Sequence, residues 1–479
     1  MIDSMILVLE FGGKEGRALA RKVRGEKVYC EILPAASPLE EISRRSPKGI
    51  LFVGTPEEEC AANTAIFSMG IPILAMGRSA KCVAEAFGGQ FLSTMPKMRG
   101  ASVVRFGESR LFDALEESER YFSGVDRFSL PEEKFTEIAW AQDDVPVAFA
   151  VRDLPIFGTQ FGIEQNDPDG LRMLHNFCVE IAGAKTDWAV EEYAERAIRE
   201  IREIALDRRV LMTVTGGVDS AVTAALVHRA VGEQLQCLHI DTGLLRQGEG
   251  DFVSRVFRTN MGVNLQSTNA SERFLACLRG IADLEAKRAA IEDAFAAVCR
   301  EEAERFGITD CIAVGTIYTD ILDGSAWPAI PTAFEGATLL APIRYLFKSE
   351  VRELGEYLGL PPEMVHRQSF PGAGFAVRIG GEATGDRIAM LRVADAIYLE
   401  EIALAGLEKR IWQCYAVLYA EDIVALRALS GVGVDKWMAH RLPYDLLERV
   451  VSRILEEIPG VDRVLYDATP RQPAVPEWI

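Results

Sequence analysis

Histidine is scarce in this chain, five in 479 residues, and none of its nine cysteines forms a CxxC pair. An odd cysteine set without paired spacing suits neither a disulfide framework nor a zinc knuckle, so reduced thiols are expected. Basic residues are the minority: 52 Lys and Arg stand against 71 Asp and Glu, a formal charge of −19. That deficit argues against broad nucleic-acid binding, which draws its affinity from Lys and Arg on phosphates, and leaves room only for a local basic pocket. No apolar run reaches the ~18 residues of a membrane span, and there is neither a fixed-period repeat nor a low-complexity tract. The opening Met1-Ile2-Asp3-Ser4 carries an acid where a secretion signal carries a base, so a cytoplasmic protein is expected.

What is present is an ordinary globular composition, 49% hydrophobic and 26% charged, long enough for roughly three domains at ~150 residues each. Over residues 1–185, apolar β-prone runs (5–9, 50–53, 71–75, 145–151, 156–161) alternate with helical stretches such as 14–24, the pattern of a mostly parallel α/β sheet. A charged amphipathic segment at 187–208 reads as a docking connector, and α/β alternation resumes to about residue 375 with strands at 210–214, 236–240 and 311–314. From 376 to 479 the texture is α+β, with long helices at 386–404 and 444–458 and a last strand near 463–466.

The most informative stretch is the apolar strand at 210–214 running into Thr215-Gly216-Gly217-Val218-Asp219-Ser220 and a helix from Ala221. A hydroxyl–diglycine bend lets backbone N–H groups approach phosphate oxygens without Cβ interference, and the helix start adds the positive end of its dipole. Thr215 and Ser220 add hydroxyl donors. No GK[ST] follows, so the chemistry is not that of a Walker loop. A bend that merely joins strand to helix is the plain alternative.

These residues resemble the SGGVDS pyrophosphate loop of the N-type ATP pyrophosphatases, and their surroundings resemble the GMP synthase family. Asp241-Thr-Gly-Leu-Leu-Arg246 is similar to DNGLLR, Asn269-Ala-Ser-Glu-Arg-Phe274 to DASERF and Gly315-Thr-Ile-Tyr-Thr-Asp320 to GTIYPD. Leu346-Phe-Lys-Ser-Glu-Val351 is similar to LFKDEV, and Ser369-Phe-Pro-Gly-Ala-Gly-Phe-Ala-Val-Arg378 to PFPGPGLAVR. The resemblance implies an α/β fold throughout. A class I amidotransferase-like domain spans 1–185, an adenine nucleotide alpha hydrolase-like ATP pyrophosphatase domain 186–375 and a C-terminal α+β dimerisation domain 376–479. It implies ATP and Mg²⁺, with Thr215, Gly216, Gly217, Val218, Asp219, Ser220 and Ala221 around the departing pyrophosphate. Lys348 carries over as a phosphate-neutralising cation, against the plain reading of a solvated helix lysine. Asp219 either assists Mg²⁺ or caps the helix. The metal ligands stay open.

In that family the first domain makes ammonia with a Cys–His–Glu triad. Here Gly70-Ile-Pro-Ile-Leu-Ala-Met-Gly77-Arg78-Ser79 matches the family's GIPVLGICYG, with Gly77 at the nucleophile, and Gly158-Thr-Gln-Phe-Gly162-Ile-Glu164 matches GVQFHPE, with Gly162 at the base. Glu164 alone remains, and an orienting acid without thiolate or imidazole neither attacks an amide nor moves a proton. Cys82 and His175 lack the turn that exposes a nucleophile and read as packing residues. A dead amidotransferase domain is expected, fed by free ammonia or by a separate glutaminase.

The acceptor pocket also departs from the family. The lid between GTIYTD and LFKSEV lacks its SHHN motif, and the VGVMGDERTY segment is missing after residues 412–419. The tail from Arg471 to Trp478 follows KPPATIEWE without its lysine. Arg246, Arg471 and Glu477 are the substrate-binding residues the resemblance implies. The leading expectation is a ligase that adenylates xanthosine monophosphate (XMP) and aminates it with ammonia. The alternatives are a ligase repurposed for another acceptor, or a non-catalytic nucleotide-binding regulator. The 460–467 strand resembles the family's dimer strand, implying a homodimer; a strand that completes its own chain's sheet is the plain alternative.

Overall fold

The computed structural model describes residues 4–13, 15–56, 64–95, 98–163, 167–324, 334–431 and 437–470. The chain divides into two compact units, Met1–Ala189 and Val190–Ile479. Eleven strands fall in the first: β1 (Ile6–Glu10), β2 (Cys30–Pro34), β3 (Gly49–Val53), β4 (Ile73–Met76), β5 (Gln90–Met95), β6 (Gly100–Phe106), β7 (Glu117–Phe122), β8 (Val125–Ser129), β9 (Phe135–Trp140), β10 (Pro146–Val151) and β11 (Ile156–Thr159). A nine-stranded sheet runs β2-β1-β3-β4-β11-β10-β9-β6-β7, and β5 and β8 form a separate ribbon.

From β2 to β11 neighbouring strands are parallel; from β11 onward they are antiparallel. The parallel half follows from near-continuous apolar runs such as Ile6–Leu9, fully buried because both sheet faces are covered. The antiparallel half has a different chemistry: β7 exposes Glu117, Glu119 and Tyr121 while burying Arg120 and Phe122, a two-residue period with one wet face.

The second unit opens with the helix Val190–Ala205, which buries Val190, Tyr193, Ala194, Ala197, Ile198 and Ile201, the i, i+3, i+4 stripe expected of the connector. Its strands are β12 (Val210–Thr213), β13 (Leu235–Asp241), β14 (Asn264–Asn269), β15 (Cys311–Ala313), β16 (Thr338–Leu340), β17 (Gln413–Leu418), β18 (Ile423–Gly431), β19 (Trp437–Ala439) and β20 (Arg463–Tyr466). The first five form a parallel sheet ordered β14-β13-β12-β15-β16, which puts β12 at its centre. The last four form a second sheet in which β18 pairs with β17 and β19 antiparallel and with β20 parallel. The 463–466 strand therefore does complete a sheet within its own chain.

One apolar core serves both sheets: Leu211, Leu238 and Ile312 of the first belong to the same buried cluster as Phe375, Leu426 and Val450. Lys287 crosses that core. It is 1% exposed, and its Nζ donates to the carbonyls of Ala376 (3.2 Å) and Ile379 (2.6 Å). Seven described cysteines are free thiols, but Cys82 is disulfide-bonded. The expectation of reduced thiols throughout is corrected at that position.

Burial, reinforced by the charge of Arg387, pushes the Lys287 ammonium down to about 8 from its ordinary 10.5. The unfolded chain therefore binds more protons at this site between those two values, and stability from this group rises with pH across that window. Melting temperatures of the protein minus those of K287M, measured from pH 7.5 to 10.5, should climb with pH. A flat or falling difference would contradict the buried amine.

Candidate functional site

The centre of the second unit ends in a bend. β12 leaves the sheet at Thr213, and the chain turns through Val214, Thr215, Gly216 and Gly217 into the helix Val218–Val231. Gly216 has φ +76°, in the left-handed region, and a Cβ there would lie 2.8 Å from Glu249 Oε1 and from Val253 Cγ2. Gly217 caps the helix in an extended conformation, and a Cβ added to it would meet only Thr215 Oγ1, at 3.6 Å. Gly216 is thus required for conformation and close packing, whereas Gly217 keeps the outer face bare. The N–H groups of Val218, Asp219 and Ser220 are first-turn donors without intrahelical partners.

This bend forms one end of a cavity of about 420 Å³ whose lining includes Lys348, Asp320, Phe295 and Ile240. Thr215 stands exposed at the bend. Ser220, expected as a phosphate donor, is used differently here: its hydroxyl donates to the Gly217 carbonyl at 2.8 Å and accepts from the Thr215 N–H at 3.4 Å. Lys348 begins the helix Lys348–Tyr357, and its Nζ lies 2.5 Å from Asp219 Oδ2. The expected solvated alternative for Lys348 is therefore set aside.

Asp219 Oδ1 is buried and has no partner among the described residues. Beside it, Asp320 is held above the usual carboxylate range, first by burial and then by the Asp219 charge, while the Ile317 N–H on its Oδ2 (2.9 Å) pulls the other way. Each carboxylate thus has one oxygen engaged. Sequence reasoning singled out Asp219 and missed Asp320, although the acid closes the GTIYTD motif. No group of three His, Cys, Asp or Glu side chains gathers as a metal site among the described residues. Two carboxylates plus phosphate oxygens are nevertheless the donor set that Mg²⁺ takes beside a nucleotide.

Glycine also sets the approach of the neighbouring strand. A Cβ at Gly315 would sit 3.2 to 3.3 Å from the backbone of Asp219 and Ser220, so a side chain after Val314 would push on the start of the helix by a few tenths of an ångström. The opposite wall is apolar, with Ile240, Phe295 and Val314.

Arg246 does not line this cavity; it lies behind Phe370, which does. Its guanidinium is 4.7 Å from the Phe370 ring and its Nε donates to Asp395 Oδ2 at 3.0 Å. Arg378 approaches the same carboxylate, Nη1 to Oδ1 3.8 Å, and stacks 4.3 Å over Tyr415. Arg378 and Asp395 are 0% and 1% exposed. Two guanidiniums thus converge on one carboxylate, and Arg246 Nη2 has no hydrogen-bond partner among the described residues. Arg378 and Asp395 had no assigned role from sequence. The PFPGPGLAVR-like motif contains the first; nothing local signals the second. Arg471 and Glu477, the other two expected acceptor residues, lie outside the described residues.

In the first unit Gly77 follows β4 and Gly162 follows β11, and these two strands are adjacent, with Met76 opposite Thr159. Gly77 keeps φ +63°, yet a Cβ at either glycine would meet nothing within 4 Å. The chain thus makes a left-handed turn at the end of β4, and the space beside both glycines is open. Glu164 lies outside the described residues. Cys82 is 1% exposed and disulfide-bonded, and His175 Nδ1 lies 3.1 Å from Glu26 Oε2. Neither reaches the elbow's chemistry.

Residues 7–181 match the family model for class I glutamine amidotransferases, and residues 400–478 that for the GMP synthase C-terminal domain. The glutamine-hydrolyzing GMP synthase of Clostridium novyi is 39% identical over 509 positions, covering 99% of both chains. Those of Clostridium perfringens and Clostridium botulinum strain Hall are each 37% identical, covering 99% and 100% of both chains. The first alignment spans 509 positions against 479 residues, so at least 30 positions of that relative have no counterpart here. Identity of this level over the whole length, with both family models in place, makes the chain a member of the GMP synthase family.

Proposed function

We propose that this chain is an ATP-dependent carbon–nitrogen ligase that converts XMP to GMP with external ammonia and has no glutaminase activity of its own. The observation that carries the reading is the bare diglycine bend facing Lys348 and an apolar wall in one cavity. In this reading residues 186–375 act on ATP, 376–479 complete the acceptor site, and 1–185 are a catalytically silent amidotransferase domain.

The purine of ATP packs against Ile240 and Phe295, and the bend holds the β- and γ-phosphates. The C2 oxygen of XMP attacks the α-phosphorus, the bond to the bridging oxygen breaks, and pyrophosphate leaves with the charge that bond carried. The first-turn N–H groups, the Thr215 hydroxyl and Lys348 are aimed where that charge grows, the arrangement that supplies the largest catalytic term in many enzymes. Ammonia then adds at C2, AMP departs, and the excess proton passes to solvent. When bound, Mg²⁺ would neutralise the phosphates, and Asp219 Oδ1 with Asp320 are the residues that would hold it.

An anionic acceptor is supported by the unpartnered Arg246 N–H, since a buried donor without an acceptor costs about 1–3 kcal/mol until a ligand supplies one. Arg471 and Glu477 are assigned to the same acceptor. The missing alignment positions accord with a shortened lid and a lost purine-side segment. We further place the protein in the cytoplasm, in keeping with the seven described cysteines that are free, Cys82 excepted; no described helix is long and apolar enough to cross a membrane. A homodimer is proposed through the C-terminal sheet, where Leu465 of β20 is 41% exposed.

Incubation with ATP, Mg²⁺ and ammonium should release pyrophosphate and yield GMP only when XMP is added. Turnover with a different acceptor alone would overturn the substrate assignment, and ATP binding without pyrophosphate under any acceptor would overturn the enzyme. K348M should lower kcat by roughly 100-fold, the usual scale for losing one transition-state charge contact. G216A should fold but lose at least about tenfold in rate, because a left-handed backbone with a Cβ costs ~1–2 kcal/mol before the clash with Glu249 is counted. Glutamine should give no glutamate above background, with or without C82A; a rate abolished by C82A would restore a glutaminase. Light scattering over a dilution series should show twice the 52.8 kDa chain mass.

A further inference from the structure

Arg367 and Glu249 form a clasp on the pyrophosphate bend. Glu249 begins the helix Glu249–Ser254, and its side chain is 4% exposed. Arg367 meets it with both terminal nitrogens, Nη1 to Oε1 at 2.5 Å and Nη2 to Oε2. The same Nη1 donates to the Gly216 carbonyl at 3.1 Å, and the guanidinium lies 4.8 Å from the Phe252 ring centroid. The space that a side chain on Gly216 would fill is the space these two residues occupy, with Glu249 Oε1 2.8 Å and Arg367 Nη1 3.2 Å from the added Cβ.

An arginine on a cavity wall beside a phosphate loop invites the reading that it binds phosphate. The geometry points elsewhere. Swinging Arg367 onto a ligand would strip the counter-charge from a buried carboxylate, which is strongly unfavourable. The bidentate fork instead fixes the guanidinium plane, so that Nη1 stays on the Gly216 carbonyl. A peptide unit is rigid and planar, so holding the Gly216 carbonyl outward also fixes the direction of the Gly217 N–H on the same peptide bond.

The next residue extends the clasp toward the acceptor side. Gln368 accepts from the Cys414 N–H at 3.0 Å and donates to the Ile411 carbonyl at 3.4 Å, gripping the start of β17. Both residues line the cavity. We propose that Arg367 is a positioning residue: through Gly216 it orients the donors that receive pyrophosphate, with Glu249 as its obligatory counter-charge, and through Gln368 it ties that bend to the C-terminal sheet. This rests on the reading of the bend as a pyrophosphate site.

Titration calorimetry of the full chain with sodium pyrophosphate and MgCl₂, and separately with adenosine, tests it. R367M and E249Q should each weaken pyrophosphate binding by roughly tenfold or more and leave adenosine binding within about twofold. The double variant should be no worse than the weaker single one, because the pair acts as a unit, and R367K should fall between R367M and the unaltered protein. A merely structural role would depress adenosine binding as well. If R367M weakens pyrophosphate binding while E249Q strengthens it, Arg367 contacts the phosphates directly and the clasp is overturned. Unchanged affinity in R367M and E249Q also overturns it. If the unaltered protein binds adenosine but no pyrophosphate, the functional reading of the bend fails, and the clasp's role with it. Should R367M not fold, E249Q and R367K carry the same comparison.

Discussion

The parallel sheet of the second unit depends on a steric constraint at one turn. A central parallel strand must hand over to a helix within four residues beside an open cavity. Gly216 satisfies it by adopting φ +76° in a space already taken by Glu249 and Val253, Gly217 by exposing bare backbone, and Gly315 by letting the adjacent strand end against the helix start. With these three positions fulfilled, the helix dipole, the first-turn N–H groups and Lys348 converge on the same volume.

Around that turn the charged groups are arranged in compensated sets rather than as isolated ions. Lys348 is matched by Asp219, Arg367 by Glu249, and Arg246 with Arg378 by Asp395. The last set brings two guanidiniums to one carboxylate, and it is the most deeply buried. These local pairings coexist with a chain charge of −19, because screening confines each field to about a Debye length, roughly 8 Å at physiological salt.

Much of this was legible in the sequence. The strand–diglycine–helix order, the parallel alternation and the connector all depend on local residue type and short spacing. What was not legible is long-range pairing. Arg367 and Glu249 are 118 residues apart, and Arg246 and Asp395 are 149 apart, so neither member signals the other. Ser220 shows the complementary limit: its hydroxyl was expected to face the ligand, yet a neighbouring carbonyl satisfies it first. The 90–140 meander went unread because the inward face of β7 carries a buried cation, Arg120, where an apolar residue would signal the strand.

In the first unit, open space lies where two adjacent strands end. At Gly77 the backbone still makes the left-handed turn that would present a reactive atom, and around both Gly77 and Gly162 there is empty volume instead of filler. A side chain at Gly162 therefore has room without moving β4 or β11, whereas one at Gly77 would have to take a left-handed backbone. The chain path at this junction is set by the backbone and leaves the choice of side chain open.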